Sequence, residues 1–148
     1  MAWEYKVVRE VEFHQTDMAG IVHFSNFYRL MEAVEHGFFR SLGLSIHSND
    51  PEQLSWPRVH ASCDFSYPLR FEDSVEIHLL VKEKREKTLV YTIIFRKLNG
   101  EPKREVARGT LVVACVKRDS VTGKMSAVPI PKVIADMIDV APREAPDA

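Results

Sequence analysis

The long helical repeat between residues 25 and 42 most constrains the fold. Apolar residues recur there at three- and four-residue steps, as in an amphipathic α-helix of about five turns. They are Phe27, Leu30, Met31, Val34, Phe38 and Leu42. Ser25 or Asn26 is the expected N-cap, because either side chain can accept from the first free N–H groups. Gly43 suits a left-handed stop. The rest of the chain must cover the apolar stripe of this helix.

On both sides of the helix the apolar period changes to two, which is typical of strands with one buried face. One such segment runs from Trp3 to Phe13. A second, unusually regular one runs from Val59 to Phe71, with a bend expected at Pro68. The other predicted elements are strands at 75–81, 89–95 and 105–116, a hairpin turn at Asn99-Gly100 and a short helix at about 132–140. Residues 111–116 are apolar on both faces, which predicts a strand in the middle of the sheet.

This order of elements predicts an α+β fold, in which an antiparallel sheet wraps round one long helix. A chain of 148 residues is the size of one domain. We therefore expect a single domain over 1–148, with a frayed tail at about 142–148. Residues 44–57 are predicted to be a polar connection.

The charges nearly balance, with 20 Lys and Arg against 21 Asp and Glu, so neither nucleic acid nor a membrane is an expected partner. The first residues lack a signal-peptide pattern, and no apolar run approaches the ~20 residues of a membrane span. We expect a cytoplasmic protein. Cys63 and Cys115 are predicted to be buried free thiols. His14, Asp17 and His23 do not have metal-ligand spacing, so no metal or cofactor is expected.

The segment from Thr16 to Tyr28, TDMAGIVHFSNFY, places one carboxylate before a glycine turn and the start of the helix. A helix N-terminus has unpaired N–H groups and a partial positive charge, which can stabilise an oxyanion. Asp17 could attack a carbonyl held there or activate a water against it. The alternative is that Asp17 only caps the following turn. Spacing alone leaves both interpretations open.

The same segment resembles the active-site segment of the hotdog-fold acyl-CoA thioesterases, most closely the 4-hydroxybenzoyl-CoA thioesterase-like group, in which D-x-x-G-x-V precedes N-[YF]. The YPLRFED segment at 67–73 and the element order are also similar. The resemblance implies a hotdog fold with a five-stranded sheet and hydrolysis of acyl-CoA to free acid and CoA. It implies that Asp17 is the nucleophile or general base and that the backbone N–H of Phe24 polarises the carbonyl.

Further residue roles are implied by the resemblance. Gly20 would let the backbone turn close to the substrate, and Phe27 and Tyr28 would line the pocket. Several relatives carry an aromatic residue at the position of His23 and a His or Tyr at the next position, which here is Phe24. His23 is therefore predicted either to hydrogen-bond substrate or water, or to pack at the helix entry.

The basic hairpin turn of Lys84, Arg85 and Lys87 resembles in place the region with which relatives hold the CoA nucleotide. A solvated turn is the alternative. A hydratase or dehydratase of the same fold, and a non-enzymatic acyl-CoA-binding protein, are the competing functions. The acyl group stays open among aromatic, short aliphatic and dihydroxynaphthoyl.

The alternating segment from Val59 to Phe71 offers more apolar residues than one helix can cover, so a second copy is expected to cover them. In the family that the chain resembles, the substrate lies between two protomers. We therefore expect a homodimer with a shared site, paired further into a homotetramer.

Overall fold

The long helix lies against a five-stranded sheet in the computed structural model, which describes residues 2–47 and 54–143. The helix, α1, spans Phe24–Ser41. The strands of the sheet are β1 (Glu4–Glu10), β3 (Arg58–Phe65), β4 (Ser74–Lys84), β5 (Thr88–Lys97) and β6 (Arg104–Ala114). Their order is β1-β4-β5-β6-β3, and every pairing is antiparallel. The predicted α+β fold, with a five-stranded sheet and one long helix, is confirmed.

A second, small sheet pairs β2 (Leu54–Ser55), β7 (Val116–Arg118) and β8 (Met125–Ala127) in the order β2-β7-β8. A short helix, α2, spans Lys132–Ala135. Part of the predicted connection at 44–57 and most of the predicted tail at 142–148 lie outside the described residues. Within the described ranges, no helix is long and apolar enough to cross a membrane.

The apolar stripe of α1 packs on the middle of the sheet. The Phe27 ring meets the Phe95 ring of β5 edge-on, with centroids 5.1 Å apart. The helix approaches β6 so closely that a Cβ added at Gly109 would lie 2.9 Å from Cε of Met31. A larger residue at 109 would require the end of the Met31 side chain to move, and its Cβ would also lie 3.1 Å from the carbonyl oxygen of Ser62.

Helix α1 begins one residue before the predicted start, and its N-cap is His23 rather than Ser25 or Asn26. His23 has extended backbone angles, and its ring nitrogen accepts from the backbone N–H of Ser25 at 3.3 Å. Asn26 already lies inside the first helical turn. Gly43 has a φ of +76°, as expected for the left-handed stop.

Two predicted strands were too long. The first ends at Glu10, and Phe13 instead opens a 3-10 turn where its side chain is 75% exposed. The strand predicted over Val59–Phe71 ends at Phe65, because the N–H groups of the next two residues both donate to the carbonyl of Val106 and turn the chain out of the sheet.

The predicted strand at 105–116 and the predicted short helix also end early. Cys115 separates β6 from β7, where its N–H donates to the carbonyl of Lys87 and its carbonyl accepts from Val128. Strand β6 lies between β5 and β3, so residues 111–114 are in an interior strand of the sheet, as predicted, whereas residues 115 and 116 lie beyond its end. Helix α2 ends at Ala135, because Ile138 then pairs with Ala2. Cys115 is buried as predicted, whereas Cys63 is only partly buried.

Candidate active site

Asp17 lies in a tight turn whose two sides, Thr16 and Val22, pair as an antiparallel bridge. Its carboxylate oxygen Oδ1 accepts from the N–H of Ala19 at 2.9 Å, so Asp17 does cap the turn, as one of the two interpretations of the sequence predicted. Oδ2 has no hydrogen-bond partner among the described residues. Gly20 closes the turn with a φ of +78°, which favours glycine. Capping therefore fixes the carboxyl group while one oxygen stays available for chemistry.

The helix start supplies a free donor close in sequence to this turn. Phe24 is the first residue of α1, and its N–H has no acceptor in the part of the chain that the structure describes. Nδ1 of the N-cap residue His23 lies 2.7 Å from the Ser25 hydroxyl, which leaves Nε2 as the nitrogen able to face a ligand. The predicted oxyanion donor is thus an unpaired first-turn amide.

Two hydrogen bonds fix the helix start relative to the Asp17 turn, and a third joins the turn to the segment at Leu69. The side-chain amide of the buried Asn26 donates to the carbonyl of Gln15 at 2.7 Å, and the N–H of His23 donates to the same carbonyl at 2.9 Å. The N–H of Val22 donates to the carbonyl of Leu69 at 2.8 Å. The sequence interpretation missed this role of Asn26, although Asn is part of the motif that carries the family resemblance.

An open cleft of about 630 Å³ lies beside the turn and the helix start. Asp17, Phe24 and Phe27 line one side of it, together with Ile21 and Val22. The segment that leaves the sheet lines the other side with Phe65, Ser66, Tyr67, Pro68, Leu69 and Arg70. The cleft is therefore largely apolar, with one carboxylate and one guanidinium. Arg70 was not predicted as a site residue; its Nη1 lies 3.5 Å from the carbonyl of Gly20.

Not all predicted site residues reach this cleft. Phe27 lines it and Gly20 lies in the turn at its edge, but Tyr28 lines a separate cleft of about 340 Å³ with Glu32 and Arg58. His14 lies on the 3-10 turn, and its ring pairs with Glu12.

The predicted CoA-binding turn lies at the far end of β4 from the cleft. An eleven-residue strand is about 35 Å long, so one chain does not bring this turn near Asp17. Nζ of Lys84 donates to the carbonyls of Ala135 and Ile138, at 2.9 and 2.7 Å. Arg85 is paired with Glu83 at 2.8 Å, and Lys87 is exposed. The nucleotide-binding role of Lys84, Arg85 and Lys87 stays a prediction.

Arg58, which lines the separate cleft of Tyr28, pairs with a buried ionisable group. Glu35 is fully buried and pairs with Arg58, which also lies 3.6 Å from Glu32 and donates to the carbonyl of Trp56. Burial raises the pKa of Glu35 to about 7. Its second oxygen and the buried hydroxyl of Tyr91 have no partners among the described residues. An acidic residue on the apolar stripe of α1 was the sequence signal for this group.

Comparison with known proteins agrees with this architecture. The family model of the thioesterase-like superfamily matches residues 11–138. A 1,4-dihydroxy-2-naphthoyl-CoA hydrolase of Gloeothece citriformis (strain PCC 7424) is 32% identical over 105 residues, which are 70% of this chain and 71% of that protein.

Two solved structures have the same fold. One is 4-hydroxybenzoyl CoA thioesterase, solved as an Asp-to-Asn mutant complexed with 4-hydroxybenzoyl CoA; it has a TM-score of 0.81 and 20% identity over 92% of this chain and 99% of that one. The other is a gentisyl-coenzyme A thioesterase, with a TM-score of 0.75 and 28% identity over 88% of this chain and 99% of that one.

The chain therefore belongs to the thioesterase-like superfamily, and the family expected from the Asp17 segment is confirmed. The enzyme class expected from the sequence, an acyl-CoA thioesterase, is confirmed with it.

Proposed function

We propose that this enzyme hydrolyses an aromatic acyl-CoA in the Asp17 cleft, with Asp17 as nucleophile or general base. The observation that carries the proposal is that one cleft is lined both by Asp17, which has a free carboxylate oxygen, and by Phe24, whose N–H at the helix start is unpaired. The aromatic rings of Phe24, Phe27 and Phe65 along the cleft suit a planar acyl group. The relatives named for naphthoyl, hydroxybenzoyl and gentisyl thioesters support the same substrate class.

The chemistry needs few groups. Asp17 either attacks the thioester carbon directly or takes the proton of a water that attacks it, and the carbonyl oxygen becomes an oxyanion that accepts from the N–H of Phe24. The C–S bond then breaks and CoA leaves as a thiolate, which needs little protonation. Attack by water gives the free acid directly, whereas attack by Asp17 leaves an anhydride that a water must then hydrolyse to the free acid and the Asp17 carboxylate. His23, at the helix entry, would hydrogen-bond the substrate or water through Nε2. Gly20 keeps the turn close to the reacting carbonyl.

The test is replacement of Asp17 by Asn. The amide oxygen can still accept from Ala19, so the turn should persist, but the amide is neither base nor nucleophile. We expect thiol release from a panel of aromatic and aliphatic acyl-CoA esters to fall on the order of 10²-fold or more. Thiol release also separates hydrolysis from hydration, in which CoA stays attached.

Asp119→Asn is the matched control. Asp119 caps a turn in the same way, with Oδ1 accepting from Val121 and Thr122 at 2.8 and 2.9 Å, and it follows β7 outside the cleft. This variant should keep wild-type activity. The proposed mechanism is wrong if Asp17→Asn keeps more than half of the wild-type rate.

We further propose that the working enzyme is a homodimer, paired into a homotetramer, in which the cleft is shared. Strand β3 is an edge strand, and its exposed face and the segment after it carry large apolar side chains. These are Val59, Phe65, Tyr67 and Phe71, at 61%, 47%, 39% and 50% exposed. In such an assembly the basic turn of Lys84, Arg85 and Lys87 would reach a cleft only from another copy. A single domain and a cytoplasmic location, where acyl-CoA is available, complete the proposal.

A further inference from the structure

Tyr67 is an aromatic residue on the side of the Asp17 cleft opposite the helix start. It lies in the segment that has left the sheet, where its N–H donates to the carbonyl of Val106 at 3.2 Å. That bond fixes the backbone, but the side chain is 39% exposed, so packing against the core does not by itself fix the direction of the ring. The shape of this wall of the cleft therefore depends on other contacts of the ring.

Two cations of the β5–β6 hairpin lie against this ring. Cζ of Arg104, the first residue of β6, is 4.2 Å from the ring centroid, and Nζ of Lys97, the last residue of β5, is 5.7 Å from it. The two cations are register partners, and like charges in that position destabilise a sheet. Attraction of both cations to the electron-rich face of the ring offsets part of this repulsion. The ring and the hairpin charges therefore hold each other in place.

Arg104 makes the closer of the two contacts with the ring. Nζ of Lys97 also lies 3.6 Å from Oδ2 of Asp73, which gives it a second partner. Arg104 forms no ion pair within residues 2–47 and 54–143. Glu101 lines the small cleft of about 100 Å³ beside both cations, so the positive charge there is already partly balanced and does not call for a bound anion. The Tyr67 ring is thus the contact that orients the Arg104 guanidinium.

We propose that Arg104 is a positioning residue that holds the Tyr67 ring as a wall for an aromatic acyl group and so favours aromatic over aliphatic acyl-CoA, an inference that rests on the proposed thioesterase function. A ring whose direction is already fixed stacks on a planar acyl group without losing rotational freedom when the substrate binds. An aliphatic chain has no aromatic face and gains less from a fixed ring. Arg104 does not touch the substrate in this proposal, since its effect passes through Tyr67.

Arg104→Gln tests this role with benzoyl-CoA and with heptanoyl-CoA, whose acyl groups have the same number of carbons. The KM for benzoyl-CoA should rise about fourfold, the ratio expected from one cation–π contact at an exposed site, while kcat stays unchanged because the lost stacking is uniform binding. The KM for heptanoyl-CoA should not change. Arg104→Lys keeps a cation beside the ring and should restore the KM for benzoyl-CoA. Lys117→Gln removes an exposed cation of β7 outside the cleft and should affect neither substrate.

A double-mutant cycle with Tyr67→Leu shows whether the effect passes through the ring. Arg104→Gln should cause no further change once the ring is gone. The proposal is overturned if Arg104→Gln is without effect, if it raises KM equally for both substrates, or if it acts as strongly in the Tyr67→Leu protein. It is also overturned if the effect disappears with benzoyl-pantetheine, which has no nucleotide. If Tyr67→Leu does not fold, the comparison of the two acyl groups still decides.

A binding measurement keeps this inference separate from the proposed function. In the Asp17→Asn protein, which should not consume the ester, calorimetry with benzoyl-CoA should show about fourfold weaker binding when Arg104 is also replaced by Gln. Binding of heptanoyl-CoA should be the same in both proteins. Equal binding of benzoyl-CoA to both proteins would contradict the role of Arg104. A wild-type protein that releases no thiol from any acyl-CoA would instead overturn the proposed function, and calorimetry would still decide the role of Arg104.

Discussion

Replacing Glu35 by Gln should remove a loss of stability that the wild-type protein suffers between about pH 4.5 and 7. Burial raises the pKa of Glu35 from 4.5 to about 7, against the opposing effect of Arg58. In this window the folded state holds a proton that the unfolded state has released. The stabilisation from Glu35 is therefore fully present below pH 4.5 and is lost as the pH rises through about 7. The difference corresponds to about 3 kcal/mol of unfolding free energy.

The measurement is denaturant unfolding at pH 5 and pH 8, at one protein concentration because the chain is proposed to oligomerise. The wild-type protein should lose about 2 to 3 kcal/mol relative to Glu35→Gln between these pH values. The comparison with the variant is needed because burial lowers the pKa of His36 and of His78. Those groups make stability rise with pH towards 6.5, the opposite sign.

Glu32→Gln is the control for this experiment. Glu32 lies on the same helix and 3.6 Å from the same Arg58, but its side chain is 57% exposed. Its substitution should leave most of the pH dependence of the wild-type protein in place, because burial is a larger cause of the raised pKa of Glu35 than the charge of Glu32. If the stability difference between wild type and Glu35→Gln changes by less than about 1 kcal/mol over this range, burial does not control the ionisation of Glu35.

Two further outcomes are expected. His23→Ala should lower kcat by about tenfold, much less than Asp17→Asn, because His23 only positions substrate or water; an equal loss would make it a full catalytic partner. Dilution of the enzyme below its dissociation concentration should abolish activity as sedimentation shows monomers, since the cleft is proposed to be shared across the exposed β3 edge; a fully active monomer would contradict this.

Residue periodicity predicted the core of the fold because its signals are local. The six apolar positions from Phe27 to Leu42 placed helix α1 to within one residue at each end. The alternation at 75–81 and 89–95 gave strands β4 and β5. The same alternation gave a wrong strand after Phe65, where the chain has left the sheet. Tyr67 is apolar there because it lines the cleft, and Leu69 because it is buried in the core. Periodicity shows which residues avoid water, and it does not show which backbones pair.

The site was predictable only where one short segment contains it. Asp17, Phe24 and Phe27 lie within a single motif and line one side of the cleft. Arg70 comes to this region through a chain reversal far along the sequence, so spacing gave no signal for it. The basic turn was expected near the substrate by position alone, and within one chain the length of β4 separates it from Asp17.

The carbonyl of Gln15 accepts from the side chain of Asn26 and from the N–H of His23, and these contacts hold the helix start beside the Asp17 turn. Positions 15 and 26 should therefore differ in how well they tolerate mutation. One partner in this contact is main chain, so the acceptor survives most replacements of the residue-15 side chain. The donor is the side chain of Asn26 and disappears with almost any replacement. Natural variation in such enzymes should therefore accumulate at 15 and be purged at 26, although neither side chain lines the cleft where the reaction is proposed.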